Sequence, residues 1–201
     1  TSPNFISSVS GSDGYESDFS SSSDFNSYGD RRFNHYFQGD ITLRLGDSSG
    51  NWSSVYRSPG AEDVHAKVDV FLSSTYSSGS KPYLLAFNDN NNRFAVRYSY
   101  SNDKLEILRR KNGGSYQTVH TFSINASPDK WYTVELEKKA GILMAWVYER
   151  DGSRSTGDYY SDAGYPTNWK PQVRMWSDDD YLYFTNFEYT SNPLSSISYI
   201  D

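Results

Sequence analysis

From Asp40 onward the chain is written in short runs whose apolar residues recur at every second position, each run closed by turn-forming residues. In VHAKVDVFLS (64–73), Val64, Ala66, Val68, Val70 and Leu72 alternate with His65, Lys67, Asp69 and Phe71; in DITLRL (40–45), Ile41, Leu43 and Leu45 alternate with Thr42 and Arg44. Successive side chains of an extended strand point to opposite faces, so this spelling buries one face and turns the other outward. The same grammar runs through SSVYRS (53–58), RFAVRYSY (93–100), KLEILRRK (104–111), SYQTVHTFSI (115–124), WYTVELEKK (131–139), ILMAWVYERD (142–151), PQVRMWS (171–177) and YLYFTNFEYT (181–190). PYLLAFND (82–89) is apolar on both parities, which suits a strand covered on both faces in the middle of a sheet. About twelve short strands, turn signals such as Asn112-Gly113-Gly114 and no helical periodicity predict an all-β, two-sheet antiparallel sandwich or jelly roll spanning residues 1–201 as one domain.

Composition supplies the core and removes several chemistries. The chain holds 18 tyrosines, 11 phenylalanines and 5 tryptophans, enough ring surface to bury. It has no cysteine, which excludes a disulfide framework, a thiolate zinc site and a cysteine nucleophile. His35, His65 and His120 are far apart and have no ligand-like spacing. A formal charge of −6 with scattered basic residues argues against nucleic acid as a partner. No apolar run approaches the roughly 20 residues of a membrane-spanning helix, so membrane insertion is not expected. The cysteine-free, polar, acidic composition points to a secreted or cell-surface protein. The first 30 residues are rich in Ser, Gly, Asp and Asn, yet Phe5, Tyr15, Phe19, Phe25 and Tyr28 are spaced through them, which predicts a loop-rich edge docked on the body. Residues 191–201 read as a C-terminal strand or linker.

The succession PYLLAFNDNNNRFAVRYSYSNDKLEILRRKNGG, PDKWYTVELEKKAGILMAWVYERDG and PQVRMWSDDDYLYFTNFEY resembles the concanavalin A-like (laminin G-like) jelly-roll superfamily over roughly residues 40–190. Its sharpest element is WY-x-V-x-L followed by a glycine-led strand. The chain is similar in particular to carbohydrate-binding modules of polysaccharide-active proteins. That resemblance implies a glycan partner and a place in a larger multidomain protein. In the last strand Thr185 stands before Asn186 where an Asp often does, which speaks against a calcium site built on that carboxylate.

A sugar ring has apolar C–H faces and a hydroxyl rim, so a binding site needs exposed aromatic platforms beside Arg, Asn or Asp. In PQVRMWS the apolar parity is Val173 and Met175, which projects Arg174 and Trp176 from the other face. Phe94, Val96, Tyr98 and Tyr100 likewise leave Arg97 outward, where it lines a groove with Arg174 or pairs with Glu106 or Glu135. In ILMAWVYERD, Leu143, Ala145 and Val147 suit the space between sheets, putting Trp146 and Tyr148 on the opposite face unless the strand is covered on both. The stretch GDYYSDAGYPTNWKP (157–171) reads as a long loop carrying Tyr160 and Trp169, rings that contact a ligand or close the sandwich end. Asp178 and Asp180, in an Asp-Asp-Asp turn, are the candidate ligands of a structural Ca²⁺; no cofactor is required.

Catalysis has weaker support. A retaining hydrolase of this fold places its carboxyls along one strand face. The nearest run, Glu16-Ser17-Asp18-Phe19-Ser20-Ser21, lacks the second Glu, while Glu135 and Glu137 read as a solvated edge. The expectation is a non-catalytic carbohydrate-binding module. The alternatives are a cell-surface or viral adhesion or structural sandwich, and a divergent polysaccharide lyase or glycoside hydrolase.

Overall fold

Left-handed turn residues set the strand boundaries. Asn90 (φ 50°), Asp103 (φ 53°), Asn112 (φ 51°) with Gly113 (φ 73°), and Ala140 (φ 49°) with Gly141 (φ 78°) close four hairpins. Asn and Asp adopt this conformation because their side chains hydrogen-bond locally, and Gly because it has no Cβ. A computed structural model describes residues 14–46, 50–73, 79–99, 102–154, 157–160, 168–177 and 180–191, apart from the side chains of 14, 123–125 and 158–160.

Among the described residues there are fifteen strands and no helix. They are β1 (Gly14–Ser17), β2 (Asn26–Tyr28), β3 (Arg31–Phe37), β4 (Asp40–Leu45), β5 (Asn51–Tyr56), β6 (Val64–Leu72), β7 (Lys81–Asp89), β8 (Asn92–Ser99), β9 (Lys104–Arg110), β10 (Gln117–Asn125), β11 (Lys130–Lys139), β12 (Ile142–Glu149), β13 (Asp158–Tyr160), β14 (Lys170–Ser177) and β15 (Leu182–Thr190). The eight-stranded sheet runs β13-β12-β11-β6-β15-β4-β3, with β1 pairing β15 off that path, and the seven-stranded sheet runs β10-β9-β8-β7-β14-β5-β2. All pairings are antiparallel. The predicted two-sheet sandwich is the fold.

The apolar parities meet between the sheets. Val64, Val68 and Val70 of β6, Val134 and Leu136 of β11, and Leu143, Ala145 and Val147 of β12 join Phe87 of β7, Phe94 and Val96 of β8 and Val173 and Met175 of β14 in one core. Three strands lie where the sequence suggests loops: β1 and β2 within the first 30 residues, and β13, which pairs with β12 inside the stretch read as a long loop; β3 falls in 31–39, outside the alternating runs. Their alternation is short or interrupted: β3 carries a register shift between Arg32 and His35, with Asn34 at φ 52°. Phe19, buried, packs against Phe25, Phe33 and Phe187 with ring centroids 5.2, 6.3 and 5.7 Å away.

Candidate functional site

Because the parity of each strand of the seven-stranded sheet is fixed by its core residues, the opposite parity gathers on one outer face. Directly opposed residues of paired strands share a face, and the pairings draw rows across it. One row is Glu106, Arg97, Tyr83, Arg174, Ser54 and Tyr28, taken from β9, β8, β7, β14, β5 and β2. The next is Leu108, Ala95, Ala86, Gln172, Tyr56 and Asn26, and a third is Arg110, Arg93, Asn88 and Lys170. At the roughly 4.8 Å spacing of neighbouring strands, a six-strand row is about 24 Å long. A register shift between Tyr83 and Leu85 lets β7 send both Leu84 and Leu85 to the core while Tyr83 and Ala86 face outward. PYLLAFND is therefore covered on both faces, as its composition predicts.

Ala86 and Ala95 form a low floor, with Tyr83 and Leu108 beside them and Trp52 and Tyr116 packed on the cluster. The Trp52 and Tyr83 rings lie 5.5 Å apart and the Tyr83 and Tyr116 rings 5.6 Å apart. The Arg174 guanidinium lies 3.7 Å from the Trp52 ring centre, and Lys81 Nζ lies 5.8 Å from that of Trp176. Arg93 donates to the Tyr116 hydroxyl and, at 2.9 Å, to Asn88 Oδ1. Gln172 Nε2 donates to Ser54 Oγ at 2.6 Å. Burial, with the neighbouring Tyr116, pushes the Tyr83 phenol up to about 12, so it stays a neutral hydroxyl. Burial and the adjacent Arg93 charge push Arg174 below its ordinary value.

The sequence-derived site residues separate in space. Arg97, Arg174 and Trp176 share this face. Arg97 donates to Glu106 Oε2 at 2.6 Å, so the cross-strand pair foreseen for it forms. Trp146 and Tyr148 lie on the outer face of the other sheet, with Leu143, Ala145 and Val147 inward as expected. There Trp146 is only 4% exposed: the Arg154 guanidinium sits 4.0 Å from its ring centre, and Gly157 approaches so closely that a Cβ would stand 2.4 Å from its Nε1. Tyr148 donates to Glu135 Oε1 at 2.6 Å. Trp169 is a correction, being fully buried in the core with its ring 5.4 Å from Phe94 and its backbone bridged to Ala61. With no accessible face it cannot stack on a sugar. The Tyr160 side chain and Asp178 lie outside the described residues. Asp180 is buried and accepts the Ser80 hydroxyl. Among the described residues no group of three or more His, Asp or Glu gathers as a metal centre.

Trp52, Tyr83, Arg93, Tyr116 and Gln172 belong to the face but not to the sequence reading. Trp52 was within reach of the parity argument, since Val55 points inward and Trp52 is three residues away on the opposite parity. Tyr116, by contrast, precedes its strand, where parity gives no direction.

The outer face of the eight-stranded sheet is acidic. Glu135 and Glu137, expected at a solvated edge, are 0% and 3% exposed because β11 lies between β12 and β6. Glu135 takes hydrogen bonds from Tyr148 and Arg154 (2.8 Å) and faces His65 Nε2 at 3.3 Å. Burial pushes its carboxyl up, but His65, Arg154 and Tyr148 outweigh this and hold it below its ordinary value. Beside this network is a cavity of about 590 Å³ lined by Glu16, Asp18, Asp24, Lys67, Asp69 and Glu188 among others. Glu16, on β1, stands opposite Glu188 of β15. Trp131 is on this face too, its ring 5.6 Å from that of Phe71.

No protein-family model matches the sequence, nor does any curated protein. Solved structures do match. The VIP36 exoplasmic/lumenal domain in a Ca²⁺/Man3GlcNAc-bound form has a TM-score of 0.64 at 12% identity, covering 85% of this chain and 85% of that one. The carbohydrate-binding module CBM66 from Bacillus subtilis has a TM-score of 0.60 at 14% identity, covering 84% and 96%. The Crh5 transglycosylase in complex with NAG has a TM-score of 0.68 at 10% identity, covering 90% and 85%. The chain has the two-sheet sandwich fold of these three structures, and its likeness to concanavalin A-like jelly rolls is one of fold.

Proposed function

We propose that the protein is a non-catalytic carbohydrate-binding module, acting within a secreted or cell-surface protein, and that the outer face of its seven-stranded sheet is the binding surface. The observation that carries this reading is the six-strand row from Glu106 to Tyr28 with Trp52, Trp176 and Tyr116 beside it. Rings supply platforms for the apolar faces of a sugar; Arg174, Gln172, Ser54 and Asn88 supply donors and acceptors for its hydroxyls. A row about 24 Å long suits a chain better than a single sugar unit. The similar sandwiches include a Man3GlcNAc-bound domain and a carbohydrate-binding module, which supports the same class of partner. Affinity electrophoresis through gels containing polysaccharides tests it. The wild-type protein is retarded by at least one polymer and Trp52→Ala and Trp176→Ala migrate freely. Retardation unaffected by either substitution, or none in any gel, refutes the reading.

A further inference from the structure

The same face is electropositive in a chain whose formal charge is −6. Its three rows carry Arg93, Arg97, Arg110, Arg174 and Lys170 against one carboxylate, Glu106, among the described residues. That carboxylate is already engaged by Arg97 at 2.6 Å. Arg93, only 6% exposed, is held by the neutral Tyr116 and Asn88, and its Nε has no partner among the described residues. Arg174 makes no ion pair and no hydrogen bond among the described residues: its guanidinium lies over Trp52 and its buried Nε is unpartnered there. Buried charges are ordinarily paired, because a charge taken out of water without a counterion is costly. Here both arginines stand on one face without a carboxylate partner among the described residues, linked through the Tyr116, Tyr83 and Trp52 rings, whose successive centres lie 5.6 and 5.5 Å apart. Gln172, 3% exposed, sits in the adjoining row with Oε1 unpartnered.

We infer that the ligand is an acidic glycan whose carboxylate or sulfate group is taken by Arg93 and Arg174, with the ring that bears it lying against Trp52. This rests on the reading that the face binds a glycan, and it adds the chemical class. An anion there supplies the counter-charge that neither guanidinium finds among the described residues, and the planar guanidinium fork suits pairing with an oxyanion. A neutral sugar leaves both charges uncompensated.

The test is titration calorimetry of the intact protein with polygalacturonate, its carboxyl-reduced neutral counterpart, dextran sulfate and dextran, each at low and at 0.15 M salt. The uronate or the sulfated polymer binds at least tenfold tighter than its neutral counterpart, and the arm that binds identifies the anion. Affinity falls with salt, as expected for partly exposed charges. Arg174→Gln removes at least tenfold of it, and Arg93→Gln, if folded, does the same. Lys130→Gln on the other sheet changes nothing; Lys130 pairs there with exposed Glu149. Equal or tighter binding of the neutral polymers overturns the acidic assignment and leaves the glycan reading standing. Binding to a polyanion that Arg174→Gln and Lys130→Gln alter alike overturns the assignment as diffuse charge attraction. No binding to any of the four overturns the acidic assignment; the glycan reading then stands or falls on the neutral polymers of the affinity gels.

Discussion

Glu135 makes the sharpest demand on the architecture, because a carboxylate with no exposed surface in a β-sandwich is tolerated only if its charge is met. Its oxygens take the Tyr148 hydroxyl at 2.6 Å and Arg154 Nη2 at 2.8 Å and face His65 at 3.3 Å. Glu135→Ala strips the counter-charge from Arg154 and the acceptor from Tyr148 while opening a void beneath Trp146. Breaking a buried pair from one side costs about 3–5 kcal/mol. In a chain of this size that lowers the melting temperature by about 6–20 °C. The effect has a pH signature. The folded carboxyl sits below its ordinary value of 4.5, so its stabilisation is present above that value and is lost as pH falls through the folded one. Thermal unfolding of wild type, Glu135→Ala, Arg154→Ala and the double variant at pH 7 and pH 3 reads both effects. Arg154→Ala on top of Glu135→Ala costs little more, since the pair is one unit. A loss under about 1 kcal/mol at pH 7, or additive single losses, would show that water reaches this carboxylate and that the network is not what holds the outer face of β11 and β12.

Trp169→Ala removes a fully buried indole from the core and costs about 3–5 kcal/mol in urea unfolding; a loss below about 1 kcal/mol contradicts the placement of this ring between the sheets. Burial raises the Glu188 carboxyl above its ordinary value, so its stabilising contribution is complete below that value and is lost as pH rises through the folded one. Glu188→Gln therefore raises the melting temperature at pH 7 but not at pH 4, and a drop at pH 7 would mean that the 4.0 Å pair with Lys67 dominates.

Period-two alternation located most strands from β4 onward other than β13 through a clean inward parity, such as Val64 to Leu72, while β7 stood out as a run apolar on both parities. It turned Arg97, Arg174 and Trp176 away from the core for the same reason: inward Val96, Val173 and Met175 leave them no other direction. What it could not carry is strand order. Glu135 and Glu137 look like a solvated edge in the local sequence, and only the position of β11 between β12 and β6 covers them. Trp169 reads as a loop ring because the bridge to Ala61 joins residues far apart in the chain. Tyr83 and Ala86 both face outward only because β7 shifts register between Tyr83 and Leu85, an irregularity that an apolar run does not announce. Gathering Arg93 and Arg174 near Tyr116 likewise depends on β8, β7 and β14 being neighbours.

Five indole N–H resonances report on the whole question, since the tryptophans are distributed over both sheets and the core. In a titration of ¹⁵N-labelled protein with a polysaccharide that retards it, the Trp52 and Trp176 indole signals shift while those of Trp146 and Trp169 stay in place. Movement of Trp131 or Trp146 with Trp52 and Trp176 unchanged would put the ligand on the eight-stranded sheet and contradict the account.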